Sequence, residues 1–177
     1  MAQDLYPIAP AGAPAWVPSP EQEKVLHAFA SCPLDDRLRV LMLESSRGEG
    51  KTTTAILANL ALAEVCEAAG LGAFLPYKTA CIRDTWANLS RTTLQTFREL
   101  AHMGLPIKLT NQDHEAVIER DGKLTNHFFF FGLDRPADAD RLQGFSCGCL
   151  WIEEAAPAAD FATGVPPESL GIGATSI

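Results

Sequence analysis

Apolar residues along this chain alternate between helical and extended spacing, and the alternation marks out its elements. Val25, Leu26 and Phe29 recur at helical spacing behind Ser19, Pro20 and Gln22. Those three supply an N-cap, a first-turn proline and a capping-box partner, so the spacing predicts a helix that ends at Ser31-Cys32-Pro33. Arg39-Val40-Leu41-Met42-Leu43 is an apolar run of strand length, and Lys51 to Ala69 runs without Gly or Pro to a stop at Gly70, the habit of a helix. Thr79 to Arg83 is a short strand candidate. Asp84 is placed to cap a second helix of about five turns, with Trp86, Leu89, Leu94, Phe97, Leu100 and Ala101 on one face and Gly104-Leu105-Pro106 as its stop. Residues 107–132 read as strands around an Asp121-Gly122 turn, flanked by Ala116-Val117-Ile118 and by Phe128-Phe129-Phe130-Phe131. Four consecutive phenylalanines cannot face one side, so that strand is predicted to be buried on both faces. A polar stretch from Asp134 to Gln143 precedes a last apolar strand, Cys147 to Ile152. Strands alternating with helices predict an α/β fold. Residues 1–18, with prolines at 7, 10, 14 and 18, read as an extended arm ahead of one domain spanning 19–177.

Charge narrows the function classes. The 177 residues carry a formal net charge of −8, and no basic face stands out of the kind that grips duplex DNA. Any nucleic-acid contact must come from a local patch, from further sequence or from partners. The five cysteines form no C-x-x-C pair and their odd number argues against a disulfide framework. Cys147 and Cys149 fall on one face of the last strand, where small buried hydrophobes are expected. The four histidines lack ligand spacing, which argues against zinc. No basic-then-apolar leader and no apolar run of membrane length occur in these residues.

Chemistry concentrates in two places. Ser45-Ser46-Arg47-Gly48-Glu49-Gly50-Lys51-Thr52-Thr53 joins the 39–43 strand to the 51–69 helix. A glycine-bearing loop that opens a helix presents backbone N–H groups and the positive end of the helix dipole to a polyphosphate. Lys51 adds a full charge at the β/γ-phosphates, and the Thr52 hydroxyl suits Mg²⁺. The strict phosphate-loop pattern has Gly where Ser45 stands. The second place is Glu153-Glu154, two acids closing an apolar strand, which is costly unless a cation meets them. One carboxylate near Mg²⁺ and another to polarise a water is what ATP hydrolysis requires. Gln22 has two open readings, as a capping-box partner or as an amide that reads an adenine edge.

With both places in hand, the chain resembles the ATPase domain of the large terminase subunit of tailed bacteriophages, the motor that packages DNA into procapsids. Ser46-Arg47-Gly48-Glu49-Gly50-Lys51-Thr52 is similar to that family's phosphate loop, and Leu150-Trp151-Ile152-Glu153-Glu154-Ala155 to its metal-and-water strand. Arg141-Leu142-Gln143-Gly144 lies where the family often has a basic residue and a glycine, and Pro18-Ser19-Pro20-Glu21-Gln22 resembles its adenine-side segment. The resemblance implies an additional-strand, RecA-like P-loop NTPase with a central, mostly parallel sheet flanked by helices. With 23 residues after Glu154, the sheet is expected to be incomplete at the C-terminus, and the family's nuclease domain is not among these residues.

Roles follow position by position as expectations from the resemblance. Ser46 to Thr53 and Gln22 bind ATP, and Arg47 senses the phosphates. Thr52 and Glu153 hold Mg²⁺, Glu154 is the catalytic glutamate, and Arg141 is the arginine finger, with Arg135 its rival because Gln143 stands at a place often basic. The implied partners are double-stranded DNA, further copies in a ring (a pentamer at a portal), the portal protein and the small terminase subunit, in the cytoplasm of an infected bacterium, with no membrane. A helicase-like ATPase and a nucleotide-binding module without turnover are the alternative functions.

Overall fold

The structure, a computed structural model, describes residues 17–31, 43, 50–110, 114–142, 144–154 and 165. The chain divides into two compact units, residues 1–75 and 76–177. The expected arm falls outside the described residues except for Val17 and Pro18, as does the 39–43 strand except for Leu43.

In the first unit, α1 (Pro20–Ala30) starts as its sequence dictates. Ser19 Oγ accepts from the Gln22 N–H at 3.3 Å, and Gln22 Oε1 accepts from the Ser19 N–H at 2.8 Å, a complete capping box. Its buried Leu26 lies on the stripe that the sequence marks, and α1 packs on α2 (Lys51–Ala68). From Thr54 to Ala63 every residue of α2 is buried, so an Ala- and Leu-rich sequence with no polar face is what its surroundings require. Gly70, at φ +76°, ends the helix: its N–H donates to Glu67 O and that of Leu71 to Cys66 O, a Schellman closure.

The second unit is built on one mixed sheet in the order β2-β3-β4-β1-β5. Its strands are β1 (Tyr77–Arg83), β2 (Ile107–Thr110), β3 (Glu115–Arg120), β4 (Lys123–Gly132) and β5 (Cys149–Ile152). β1 lies parallel to both β4 and β5, whereas β3 is antiparallel to β2 and β4. The parallel character expected of the sheet therefore holds at β4, β1 and β5, and a β2–β3–β4 meander forms the other edge. Asp121 and Gly122, both at positive φ, make the two-residue hairpin that the sequence marks.

The phenylalanine run divides between the faces. Phe128 and Phe130 meet Phe97 edge-on at 5.0 and 5.1 Å, while Phe129 and Phe131 meet Phe145 at 4.8 and 5.4 Å. Ala80, Ile82, Phe131, Leu142 and Val165 form the buried cluster on the Phe145 side.

Three expectations are corrected. The five-turn helix is two helices, α3 (Trp86–Arg91) and α4 (Thr93–His102), broken at Thr92, whose φ of −114° and ψ of −70° depart from regular helical values. Asp84 does not cap: Thr85 does, accepting from the Asn88 N–H at 3.2 Å, and Asp84 instead accepts from Asn88 Nδ2 at 2.8 Å. The last strand starts at Cys149, and Cys147 precedes it. α3 sits so close to the end of β4 that a Cβ on Gly132 would fall 2.3 Å from Trp86 N and 2.6 Å from Trp86 Cα. Those are backbone atoms that cannot swing aside, so only glycine fits.

Candidate functional site

The phosphate-loop residues lie in the first unit. Ser46, Arg47, Gly48 and Glu49 fall outside the described residues. Gly50 is the N-cap of α2 at φ +72°, a left-handed backbone that a side chain would strain. Its carbonyl accepts from both the N–H and the Oγ1 of Thr54 at 2.9 Å. Lys51, Thr52 and Thr53 form the first turn, where the positive end of the helix dipole favours an anion. A Cβ on Gly50 would lie 2.6 Å from Gln22 Nε2. The capping reading of Gln22 is thus realised by its oxygen, while its nitrogen end packs on the residue that opens α2.

The acidic pair lies in the second unit, and the cation it requires is Arg83. This arginine closes β1 beside the end of β5, its side chain only 7% exposed. Its Nη2 lies 2.5 Å from Glu154 Oε2, its Nη1 3.3 Å from Glu153 Oε2, and its Nε 3.5 Å from Asp84 Oδ1. In a continued strand Glu153 and Glu154 would point to opposite faces. β5 instead stops at Ile152, and Glu154 takes a left-handed backbone at φ 56°. Both carboxylates then reach one guanidinium. Such a conformation in a non-glycine residue costs about 1 kcal/mol or more, and the bonds around it must hold it in place. The Glu154 carbonyl accepts from the N–H of Val165, a fully buried member of the sheet's core.

The break between α3 and α4 turns two hydroxyls onto this cluster. Thr92 Oγ1 accepts from Arg83 Nη1 at 2.6 Å and donates to the Asn88 carbonyl at 2.8 Å. Thr93 Oγ1 donates to Glu153 Oε2. Arg83, Thr92 and Thr93 belong to no motif that marks them in the sequence as site residues. The signal for Arg83 was present: a charged residue ends the Thr79–Ile82 apolar run, as Glu153 ends the other.

Arg141 lies in a 3₁₀ turn (Pro136–Leu142), exposed, with its guanidinium carbon 5.9 Å above the Phe131 ring. Arg135, in the bend before that turn, donates its N–H to Asp138 at 2.8 Å, and Gln143 falls outside the described residues. Burial pushes the Cys81 thiol well above its usual range, with Cys149, Glu153 and Cys147 adding to the rise; burial also raises Cys147 and Cys66. Cys66 and Cys81 are buried core groups, whereas Cys147 and Cys149, expected as buried hydrophobes, are only half-buried. Among the described residues no three His, Cys, Asp or Glu side chains converge as a metal site. Mg²⁺ needs less, since it takes one or two protein oxygens beside phosphates and water. A threonine hydroxyl and a carboxylate are the hard donors it favours. The Glu153 carboxylate is a hard oxygen donor of that kind, held by Thr93 and Arg83. No described helix is long and apolar enough to cross a membrane.

No family model and no curated protein matches the sequence. Solved structures do. The large terminase from a thermophilic bacteriophage, in crystal form 2, superposes with a TM-score of 0.59 at 20% identity, over 91% of this chain and 36% of that one. Its complex with ADP, in crystal form 3, gives 0.59 at 18% identity over 89% and 35% of the two chains. A further crystal form 3 structure gives 0.57 at 18% identity over 89% and 34%. This chain spans about a third of the length of those proteins, and over that third it has the fold of a bacteriophage large terminase.

Proposed function

We propose that this chain is the ATPase part of a terminase large subunit, hydrolysing Mg-ATP to drive double-stranded DNA into a procapsid. The observation that carries the reading is the pair of carboxylates held on buried Arg83 at the C-terminal end of a parallel strand, in a fold shared with a terminase solved with ADP. Ligands of open parallel sheets bind outside the carboxyl ends of the strands. We assign the sheet to the additional-strand class of P-loop NTPases and residues 19–177 to one catalytic domain behind an N-terminal arm.

In this reading Lys51 and the α2 N-terminus hold the phosphates, Ser46 to Thr53 wrap them, Arg47 senses them, and Gln22 lies toward the adenine. Thr52 and Glu153 supply oxygens to Mg²⁺, which when bound draws charge from the phosphate oxygens. Glu154 orients the attacking water and takes its proton. An arginine from a neighbouring copy, Arg141 by its place shortly before the acidic strand, would meet the charge that grows on the transferring phosphoryl group. DNA, a pentameric ring at a portal, the portal protein and the small terminase subunit are the partners this assigns, in the host cytoplasm.

The test is nucleotide binding. Lys51→Ala removes a charge-assisted contact of about 1.5–3 kcal/mol, so its affinity for Mg-ATP in titration calorimetry is expected to fall tenfold or more. Equal affinity in Lys51→Ala and the unaltered chain would overturn the proposal.

A further inference from the structure

We infer that Thr93 is a positioning residue for the metal-side acid, and that the break at Thr92 exists to place it. The inference rests on the functional reading above and deepens it. An unbroken helix from Trp86 to His102 would keep the hydroxyls of residues 92 and 93 within one regular spiral, where such groups bond back to carbonyls of the preceding turn. Thr92 still does so, to Asn88. Thr93, the first residue of α4, instead turns its hydroxyl proton to Glu153, 60 residues later in the chain. Thr93 is also almost wholly buried, at 1% exposure. A buried hydroxyl bonded to an ionised carboxylate makes a charge-assisted bond, shorter and about twice as strong as a neutral one.

The geometry of Glu153 gives that bond its purpose. Glu153 also lies 3.3 Å from Arg83, an arginine that meets Glu154, Asp84 and Thr92 as well. A guanidinium shared among four acceptors cannot by itself fix the rotation of one carboxylate. Thr93, anchored in a helix, supplies the second point. A carboxylate oxygen held both by a helix-anchored hydroxyl and by the arginine keeps a constant orientation, which a small octahedral cation such as Mg²⁺ demands. Thr93 itself touches neither nucleotide nor metal. It acts through Glu153.

The experiment measures the free Mg²⁺ needed for half-maximal ATP binding by the full chain, using titration calorimetry. Thr93→Val keeps shape and burial while deleting the hydroxyl; the half-maximal Mg²⁺ concentration is expected to rise about tenfold, the low end of what loss of an outer-shell partner costs a metal site. Thr93→Ser restores the hydroxyl and should restore the requirement. Thr93→Ala removes the same hydroxyl in a helix-favouring residue, and carries the same expectation should the valine variant not fold. In a Glu153→Gln background Thr93→Val should add nothing further. An unchanged Mg²⁺ requirement in folded Thr93→Val or Thr93→Ala, beside normal binding by the unaltered chain, overturns the role of Thr93 alone. A full shift added on top of Glu153→Gln overturns it too. Absence of ATP binding by the unaltered chain overturns the functional reading, and this inference with it.

Discussion

Arg83→Met is expected to destabilise the second unit by about 3–5 kcal/mol, because it leaves two largely covered carboxylates, Glu153 and Asp84, without the charge that compensates them. Not every arm of the cluster contributes equally. The Glu154 side chain is 49% exposed and water screens it, so its bond to Arg83 adds little on its own. Glu153 at 17% and Asp84 at 10% cannot recover that hydration. The loss therefore comes chiefly from these two, from Thr92 Oγ1 losing its donor, and from the strand end that Arg83 closes. Chemical denaturation of Arg83→Met against the unaltered chain measures it. Adding Glu153→Gln to Arg83→Met should recover part of the loss, since it removes one uncompensated charge. A change below about 1 kcal/mol in Arg83→Met, the worth of an exposed pair, would mean that the acids are solvated rather than paired.

Glu154→Gln is expected to slow hydrolysis by about 10²–10⁴, the usual worth of a positioned general base, while ATP affinity stays as it was. An amide has nearly the size and shape of the carboxylate but cannot take a proton from water. Ground-state binding, which this reading assigns to Lys51, Thr52 and the helix N-terminus, does not pass through it. Single-turnover hydrolysis set against titration of bound nucleotide separates the two quantities. Glu153→Gln should give the other phenotype, a raised Mg²⁺ requirement. Exchanged phenotypes would reverse the two roles. The left-handed backbone at Glu154 and its half-exposed side chain suit a group that must reach a water, whereas Glu153, pinned by Thr93 and Arg83, suits one that must hold still.

Local signals were legible in the sequence, and long-range ones were not. Ser19, Pro20 and Gln22 specify the start of α1 within four residues, and Asp121-Gly122 specifies a hairpin within two, because capping and tight turns are settled by neighbours. The four phenylalanines announced a strand covered on both faces by simple exhaustion of one side. The demand for a cation beside Glu153 and Glu154 was also legible from the cost of burying charge. Its supplier was not, since Arg83 comes 71 residues before Glu154 and only the parallel pairing of β1 with β5 brings them together. The helix break was hidden for the same reason. Thr92 and Thr93 read as two more residues of an amphipathic helix, and the bonds that offset the lost helical turn go to Arg83 and Glu153.

The sheet order also fixes when in folding the acidic cluster can exist. β3 and β4 close across a two-residue turn, a microsecond event for a hairpin. The β1–β4 and β1–β5 pairings are parallel and must first gather long stretches of chain, whose closure entropy is lost before any contact rewards it. Arg83 therefore meets its acids after the meander has formed, and the carboxylates stay hydrated until then. Pulse-labelled hydrogen exchange should find the amides of β3 and β4 protected before that of Glu153, which donates to the Ile82 carbonyl; simultaneous protection would count against this order. Contacts made after the rate-limiting step govern how long a folded molecule lasts rather than how fast it forms. On that order, Arg83→Met is expected to speed unfolding more than it slows refolding.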